Sequence, residues 1–467
     1  MRAFALLIAL AAVGLVVAGC GNLLGSGTGL SCVVQKDGIP SCFGPGGTPS
    51  AVALPKGYGA AEIAVGMGAP NGQTAVCVAA GKSGSSAGGA LCWGDDTYGQ
   101  LGRGTAGAAS ATPVRIPLGA GRATTTVGVG GTTACAVTSD GIICWGDNTN
   151  GQLGTTAPGI AGPAIVPGTA SFTDTEGLTS SPTLLAMGRA HACGGTSSIL
   201  VCWGAGGAGQ LGSGTTADSA ATVQVTFPAK IDGVSAVAAG GDSTCAITSG
   251  KEFGADRLWC WGQLVASSTP VEVTTPPGYE PRTVSVGFDH ACATVSGGAV
   301  LCWGGNASGQ LGPGATGAAS ATPVEVPGID ANLVAAGVGQ SCAALRSGRL
   351  QCWGTGSAAP TAVPGITGLR SPIARPARVT GRPTVGSTLT AVTAPWPYAV
   401  DYRYQWQRRD ASRTWQDIRG ADKRTLKLRP ALAGVAVRVS ITGINAWTEA
   451  GATLASTRSS GPHAVSG

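Results

Sequence analysis

Charge is scarce in this 467-residue chain: Asp, Glu, Lys and Arg together make 11% of it. An unfolded chain needs the opposite balance, with much charge and little apolar surface, and here apolar residues reach 43%. Histidine is scarcer still, with three residues, His191, His290 and His463. His191 and His290 occupy the same place in a repeated motif, two positions before a cysteine. That suits a structural role, bonding backbone between strands, better than catalysis at one site. No Ser–His–Asp or Cys–His set can be assembled, and no cysteine is left over as a nucleophile. There is no Cys-x-x-Cys pair, which argues against zinc. Asp95-Asp96-Thr97-Tyr98-Gly99 and Asp147-Asn148-Thr149-Asn150-Gly151 faintly echo a calcium loop but lack its twelfth-position glutamate, and Asn/Asp-Gly clusters mostly form turns. No glycine cluster sits in a strand–Gly-x-Gly-x-x-Gly–helix setting. Beyond residue 17 no segment is long and apolar enough to span a membrane. Catalytic residues, a metal site and a cofactor are therefore all expected to be absent.

What the chain does have is cysteine in a fixed pattern. Cys20 ends a short apolar segment. The other fourteen form seven neighbouring pairs: Cys32 with Cys42, Cys77 with Cys92, Cys135 with Cys144, Cys193 with Cys202, Cys245 with Cys260, Cys292 with Cys302 and Cys342 with Cys352. Partners stand 9 to 15 positions apart, and the second cysteine recurs at intervals of 50, 52, 58, 58, 42 and 50. This is a sevenfold repeat with one internal crosslink per unit, in an oxidising compartment. A spacing of ten calls for a three-residue hairpin loop. Lys36-Asp37-Gly38, Ser296-Gly297-Gly298 and Arg346-Ser347-Gly348 all end in the glycine that a type I turn with a bulge requires. Cysteines opposite one another on antiparallel strands, about 4.5–5.5 Å apart at Cα, lie within disulfide reach.

Residues 1–19 have signal-peptide anatomy: Met1-Arg2, an apolar run over 3–17, then small residues. The ending Val17-Ala18-Gly19-Cys20 resembles the bacterial lipoprotein lipobox. The resemblance implies cleavage before Cys20 and acylation there, with the lipid anchor as the protein's only membrane attachment. Localisation is then the bacterial cell envelope, facing outward. Gly21 and Asn22, with no aspartate beside Cys20, favour the outer membrane in a double-membraned organism. Residues 20–29 read as a tether.

The repeat reads strand by strand. Val286-Gly287-Phe288-Asp289-His290-Ala291-Cys292 aligns with Met187-Gly188-Arg189-Ala190-His191-Ala192-Cys193. Each continues through a turn into a strand ending Cys-Trp-Gly. In four units a loop closing with Gly-Gln-Leu-Gly follows, at 99–102, 151–154, 209–212 and 309–312. Short strands at this density, with Gly/Pro/Ser turns and no helical period, read as all-β. Four strands per unit fit a propeller blade. The pattern Val-x-x-Gly-x-x-His-x-Cys-Ala … Cys-Trp-Gly … Gly-Gln-Leu-Gly resembles the regulator of chromosome condensation repeat, carried by a family of seven-bladed β-propellers. The likeness covers 30–371. Three units depart from it: unit one has Phe43 for tryptophan, unit five shortens to Trp261-Gly262-Gln263-Leu264-Val265, and unit seven lacks the Gly-Gln-Leu-Gly loop. The resemblance implies a ring closed by completing one blade from both chain ends, with 360–369 supplying a strand. It also implies work through protein–protein contact by the propeller loops.

From 372 the cysteines stop and the charge changes sign. Residues 370–467 hold 15 Lys/Arg and 5 Asp/Glu, a net of +10, against 14 and 18, a net of −4, in 1–369. Strands are expected over 384–393, 402–409, 425–428 and 435–442. Tyr404-Gln405-Trp406-Gln407 with Ala433-Gly434-Val435 resembles bacterial Ig-like sandwich modules, and Trp406 would be core. The basic residues form either a solvated strand face or a surface attracted to an anionic envelope polymer.

Three classes of function follow. The first is a non-catalytic, surface-anchored lipoprotein whose propeller binds a protein partner. The second is an extracellular inhibitor resembling propeller-type β-lactamase inhibitors, though the loops here are mostly Gly, Ala, Ser and Thr. The third is an exported enzyme or lectin. Nucleic acid is not an expected partner, and no sequence feature names the binding residues.

Overall fold

The computed structural model describes residues 23–445 and 463–464, apart from 36, 69–70, 83–87, 120–121, 174–178, 232, 250–255, 368, 370–377, 381–383, 393–398, 410–414, 419 and 434. The signal segment and Cys20 lie outside the described residues.

Seven four-stranded antiparallel sheets follow one another along the chain, at 24–51, 58–115, 124–165, 184–224, 233–272, 281–325 and 331–362. Each is a meander of consecutive strands, numbered here first to fourth. The first strands of neighbouring sheets contact one another all the way round, including that of blade 1 with that of blade 7. They form the inner wall of a seven-bladed β-propeller. A short ribbon, Phe172–Thr173 paired with Thr179–Ser180, lies between blades 3 and 4. No described helix is longer than three residues, and none is long and apolar enough to cross a membrane.

Each cysteine pair bridges the second and third strands of one blade. Cys32 is bonded to Cys42 in blade 1, Cys77 to Cys92 in blade 2 and Cys135 to Cys144 in blade 3. Cys193 is bonded to Cys202 in blade 4 and Cys245 to Cys260 in blade 5. Cys292 is bonded to Cys302 in blade 6 and Cys342 to Cys352 in blade 7. All seven bridges therefore join sequence-neighbouring partners. Their Cα atoms lie 4.0 to 4.1 Å apart, a little below the roughly 4.5–5.5 Å expected of facing strand residues. The three-residue loops end as expected, with Gly38, Gly298 and Gly348 at φ 82, 98 and 80.

The tryptophan of Cys-Trp-Gly is buried in blades 2 to 7, with Phe43 in its place in blade 1. In these six blades the register between third and fourth strands slips between the cysteine and the following glycine. That glycine carries a positive φ, 106 at Gly146 for example. A Cβ there would meet the Thr132 carbonyl. The bulge turns the indole into the interface between blades. Outer edges are protected by proline within the fourth strand at Pro113, Pro163, Pro270, Pro323 and Pro360, which removes a backbone donor where another chain could pair.

Closure differs from the expectation of a shared blade. The first blade starts at Leu24, inside the stretch read as tether, and supplies all four of its own strands. Residues 357–362 form the fourth strand of blade 7. The ring is shut by packing: Leu24, Val33 and Phe43 share a core with Ile63 and Trp93 of blade 2 and with Leu333 and Leu350 of blade 7. The segment after blade 7 joins this core through Ile366 and Leu369, rather than adding a strand.

After 377 the chain forms two small sheets. One orders Arg378–Thr380, Thr388–Val392 and Thr425–Lys427. The other orders Trp415–Asp417, Ala399–Arg409, Ala436–Asn445 and His463–Ala464. A single core with residues from both includes Leu389, Leu426, Trp406 and Val439. Trp406 is fully buried, as expected, and its Nε1 donates to the Lys423 carbonyl at 2.9 Å.

Candidate functional site

A meander places the first–second and third–fourth connections of every blade on one face of the ring, here the upper face, and all others on the lower face. The Gly-Gln-Leu-Gly loops lie on the upper face, and each performs three tasks. Its leucine (Leu101, Leu153, Leu211 or Leu311) is buried. Its glutamine side chain folds the loop, as where Gln100 accepts from the Tyr98 amide at 2.9 Å and donates to Asp95 at 2.9 Å. Its glutamine carbonyl accepts the indole N–H of a neighbouring blade: Trp145 on Gln100 at 2.7 Å, Trp203 on Gln152 at 3.0 Å, Trp261 on Gln210 at 2.8 Å and Trp353 on Gln310 at 2.9 Å. Blade 5 lacks the loop and has a short 3-10 turn, Gln263–Val265, instead. Accordingly, the Nε1 of Trp303 in blade 6 has no partner among the described residues.

The two histidines are fully buried at blade interfaces. His191 Nε2 lies 2.8 Å from the Thr244 hydroxyl of blade 5, which lies 3.0 Å from the Gln210 carbonyl. His290 Nε2 lies 2.9 Å from the Ser341 hydroxyl of blade 7, which lies 2.9 Å from the Gln310 carbonyl. The hydroxyl must donate to the carbonyl, so each Nε2 carries a proton and donates to the hydroxyl. Burial pushes the His191 imidazole down to about 3. The structural role expected of both residues is present, but the partner is a side-chain hydroxyl in the next blade rather than backbone. Blade 7 has Gln340 at the histidine position. The Ser31 hydroxyl of blade 1 donates to Gln340 Oε1 at 3.5 Å, so a contact between the same two positions recurs where the ring closes, with donor and acceptor exchanged.

Sequence reasoning missed these hydroxyls. The signal was present: the residue before the first cysteine is Ser or Thr in blades 1, 5 and 7 alone, each following a blade with His or Gln at the partner position.

The calcium-like stretches are turns. Asp95 accepts from the amide and hydroxyl of Thr97 at 3.2 and 2.6 Å, and Asp147 does the same with Thr149 at 3.1 and 2.6 Å. Among the described residues no group of three His, Cys, Asp or Glu could hold a metal ion.

At the centre of the upper face the first–second turns are linked blade to blade by backbone hydrogen bonds. The Gly131 amide donates to Arg189, Arg189 to Gly241, Phe288 to Gly337 and Val338 to Gly27, at 2.9 to 3.3 Å. Charged and aromatic side chains on this ring come, among the described residues, from blades 4 to 6. Arg189 pairs with Asp242 at 2.9 Å, and Phe288, 42% exposed, is one of three exposed large apolar residues among those described. Asp289 follows it, its carboxyl held below the usual range by His290, whose Nδ1 lies 3.5 Å away. Blades 1 and 3 offer mostly glycine and threonine there, and blade 2 adds the uncharged Asn71 and Gln73.

The regulator of chromosome condensation (RCC1) repeat matches this chain over residues 87–137 and 199–247 in one form and over 125–152 and 282–310 in another. The chain is thus a seven-bladed propeller carrying these repeats. It is 31% identical over 145 residues to the ultraviolet-B receptor UVR8 of Arabidopsis thaliana, a match spanning 28% of this chain and 32% of that protein's length. The fold is similar to that of human WBSCR16, at 19% identity and a TM-score of 0.57, covering 68% of this chain and 86% of the other. Prp20p of Saccharomyces cerevisiae, described with binding properties to Gsp1p and histones, aligns at 15% identity and a TM-score of 0.54, covering 68% and 80%.

Proposed function

We propose that this chain is a non-catalytic, protein-binding propeller held at a bacterial cell envelope by acyl chains on Cys20. The carrying observation is the upper face itself. A ring of backbone-bonded turns, locked by Trp–Gln contacts and seven disulfides, displays loops on a support that changes little when a partner docks. Two further findings fit. The histidines are sunk in blade interfaces, and the aspartates of the loops are tied into turns, so neither is poised for chemistry. A similarly folded yeast propeller is described as binding Gsp1p and histones, and this chain is read as using the same fold for a partner of its own.

On this reading Cys20 stands four residues before Leu24, where the first blade begins, so the propeller sits close to the membrane. The basic module after 372 is an Ig-like spacer whose +10 charge draws it to anionic envelope polymers. Fractionation tests the anchor: Cys20→Ser should move the protein from the membrane fraction to the soluble one, since acyl chains are its only hydrophobic attachment. An uncleaved variant that still pellets with membranes sinks the lipoprotein reading. For binding, the disulfide-intact protein should retain one defined protein from envelope extracts, and a chain ending at residue 370 should retain the same one. The shortened chain should also lose salt-sensitive adsorption to anionic polymers, which fades as salt shortens the Debye length to about 8 Å and below.

A further inference from the structure

The propeller's charge is divided unevenly between its faces. The upper-face connections carry six aspartates, at 95, 96, 147, 218, 242 and 289, against Arg103 and Arg189, a net of −4. The lower-face connections and strand ends carry, among the described residues, eight basic and seven acidic groups. There Arg122–Asp140, Arg257–Glu272, Arg282–Glu280 and Arg346–Asp330 neutralise each other in pairs. On the upper face Asp95, Asp147 and Asp218 accept hydrogen bonds from uncharged donors such as Thr97, Thr149 and the Gly206 amide. Arg103 pairs with Asp96 and Arg189 with Asp242, which leaves Asp95, Asp147, Asp218 and Asp289 without a Lys or Arg partner among the described residues. The exposed ring of Phe288 stands on this face beside the half-exposed Asp289 carboxylate and one blade from Asp242, which pairs with Arg189.

We infer that the upper face, centred on Phe288, Asp242 and Asp289, is the docking surface, and that its occupant is a cationic polypeptide segment with an apolar side chain that packs on Phe288. This rests on the protein-binding reading above and adds the face and the chemistry of the partner. Three considerations carry it. An acidic surface repels nucleic acid and anionic polymers and steers basic ones. An exposed aromatic beside a carboxylate on a rigid turn has the anatomy of a binding hot spot, an apolar anchor flanked by charge. The first and last described residues of the propeller also lie on the opposite face. The Leu23 carbonyl accepts from the Val34 amide at the lower end of blade 1, and the Leu369 amide donates to the Gly348 carbonyl in a lower-face turn.

The test uses the full chain and three labelled synthetic peptides: an alternating Lys/Leu peptide, its Glu/Leu counterpart, and oligolysine of equal charge. The Lys/Leu peptide should bind tightest, oligolysine more weakly and Glu/Leu least at this face. Phe288→Ala, and Asp242→Asn with Asp289→Asn, should each weaken Lys/Leu binding by about tenfold. Glu325→Gln on the lower face should leave it unchanged. Asp289→Lys should lower Lys/Leu binding and raise Glu/Leu binding, an outcome that misfolding cannot produce. Equal loss with the lower-face substitution, or no loss with either upper-face variant, overturns the inference. If the envelope partner is still retained by Phe288→Ala and Asp289→Lys, the protein-binding reading stands and only this face is wrong.

Discussion

At the scale of single residues, the interfaces between blades are held by a few polar atoms in fixed roles. His191 has to stay neutral: it is fully buried, with its Nε2–H committed to Thr244 and its Nδ1 without a partner among the described residues. Its folded pKa lies below the unfolded value of about 6.5, so the unfolded chain binds the extra proton in acid. Stability from this residue is intact above pH 6.5. It should fall as pH drops from about 6.5 towards 3, by up to about 1.4 kcal/mol per pH unit. His191→Gln, which borrows the solution blade 7 uses at Gln340, should flatten that slope while keeping the interface, as read from melting temperature against pH. Gly188→Ala should destabilise strongly, because a Cβ there runs into the His191 ring. The indoles offer a matched pair. Trp203→Phe loses a hydrogen bond to Gln152, and Trp303→Phe loses none. The first should therefore cost about 1 kcal/mol more in denaturant melts. Equal costs would mean that the Trp–Gln contact adds nothing beyond packing.

At the scale of the element, the unit of construction is the disulfide-bridged hairpin. Its crosslink is local, and the bridges of blades 2 to 6, from Cys77 with Cys92 to Cys292 with Cys302, are built from cysteines at 0% exposure. In the two blades that close the ring, one cysteine of each pair, Cys42 and Cys352, is only half-buried. Non-reducing digestion should yield seven bridges within units and none between them. Loops this short contribute roughly 2.5–3 kcal/mol each on the chain-entropy account. Reductant should act slowly on the native protein and quickly once denaturant opens the blades, because the thiolate must reach a sulfur inside the sheet. The bridges at Cys42 and Cys352 should open first. A native protein whose bridges all reduce at the rate of an exposed disulfide would contradict this burial. The Gly-Gln-Leu-Gly loop is the second element, and it works across the interface. Blade 5 shows what its loss does locally: a 3-10 turn takes its place and the neighbouring indole is left unpaired among the described residues.

At the scale of the whole molecule, closure without a shared blade changes what the ends of the ring do. The contact between Ser31 and Gln340 and the core joining Leu24, Val33, Leu333 and Leu350 stand where other propellers would interleave strands. Blades 1 and 7 then meet as any two blades meet. A circular permutant opened at the lower-face connection around Gly328, with the original ends of the ring joined, should fold to a ring of near-native stability. A large drop in melting temperature would show that the interface of blades 1 and 7 depends on its present chain ends.

Much of this architecture was legible in the chain because it is local. Cysteine spacing sets hairpin length, the terminal glycine of each loop sets the turn, and Trp-Gly marks the bulge; each involves residues within about fifteen positions of one another. The all-β class and the count of seven follow from the same spacing. Tertiary structure alone decided what depends on contacts fifty or three hundred residues apart. The expected shared blade gave way to self-contained blades, since strand composition says which segments pair but not whether two chain ends meet within one sheet. The histidines found hydroxyl partners one blade on, a contact that exists only when the ring has formed. Net charge was countable from the sequence, but its placement on one face was not, because which loops share a face is settled by the alternating direction of strands around a closed ring.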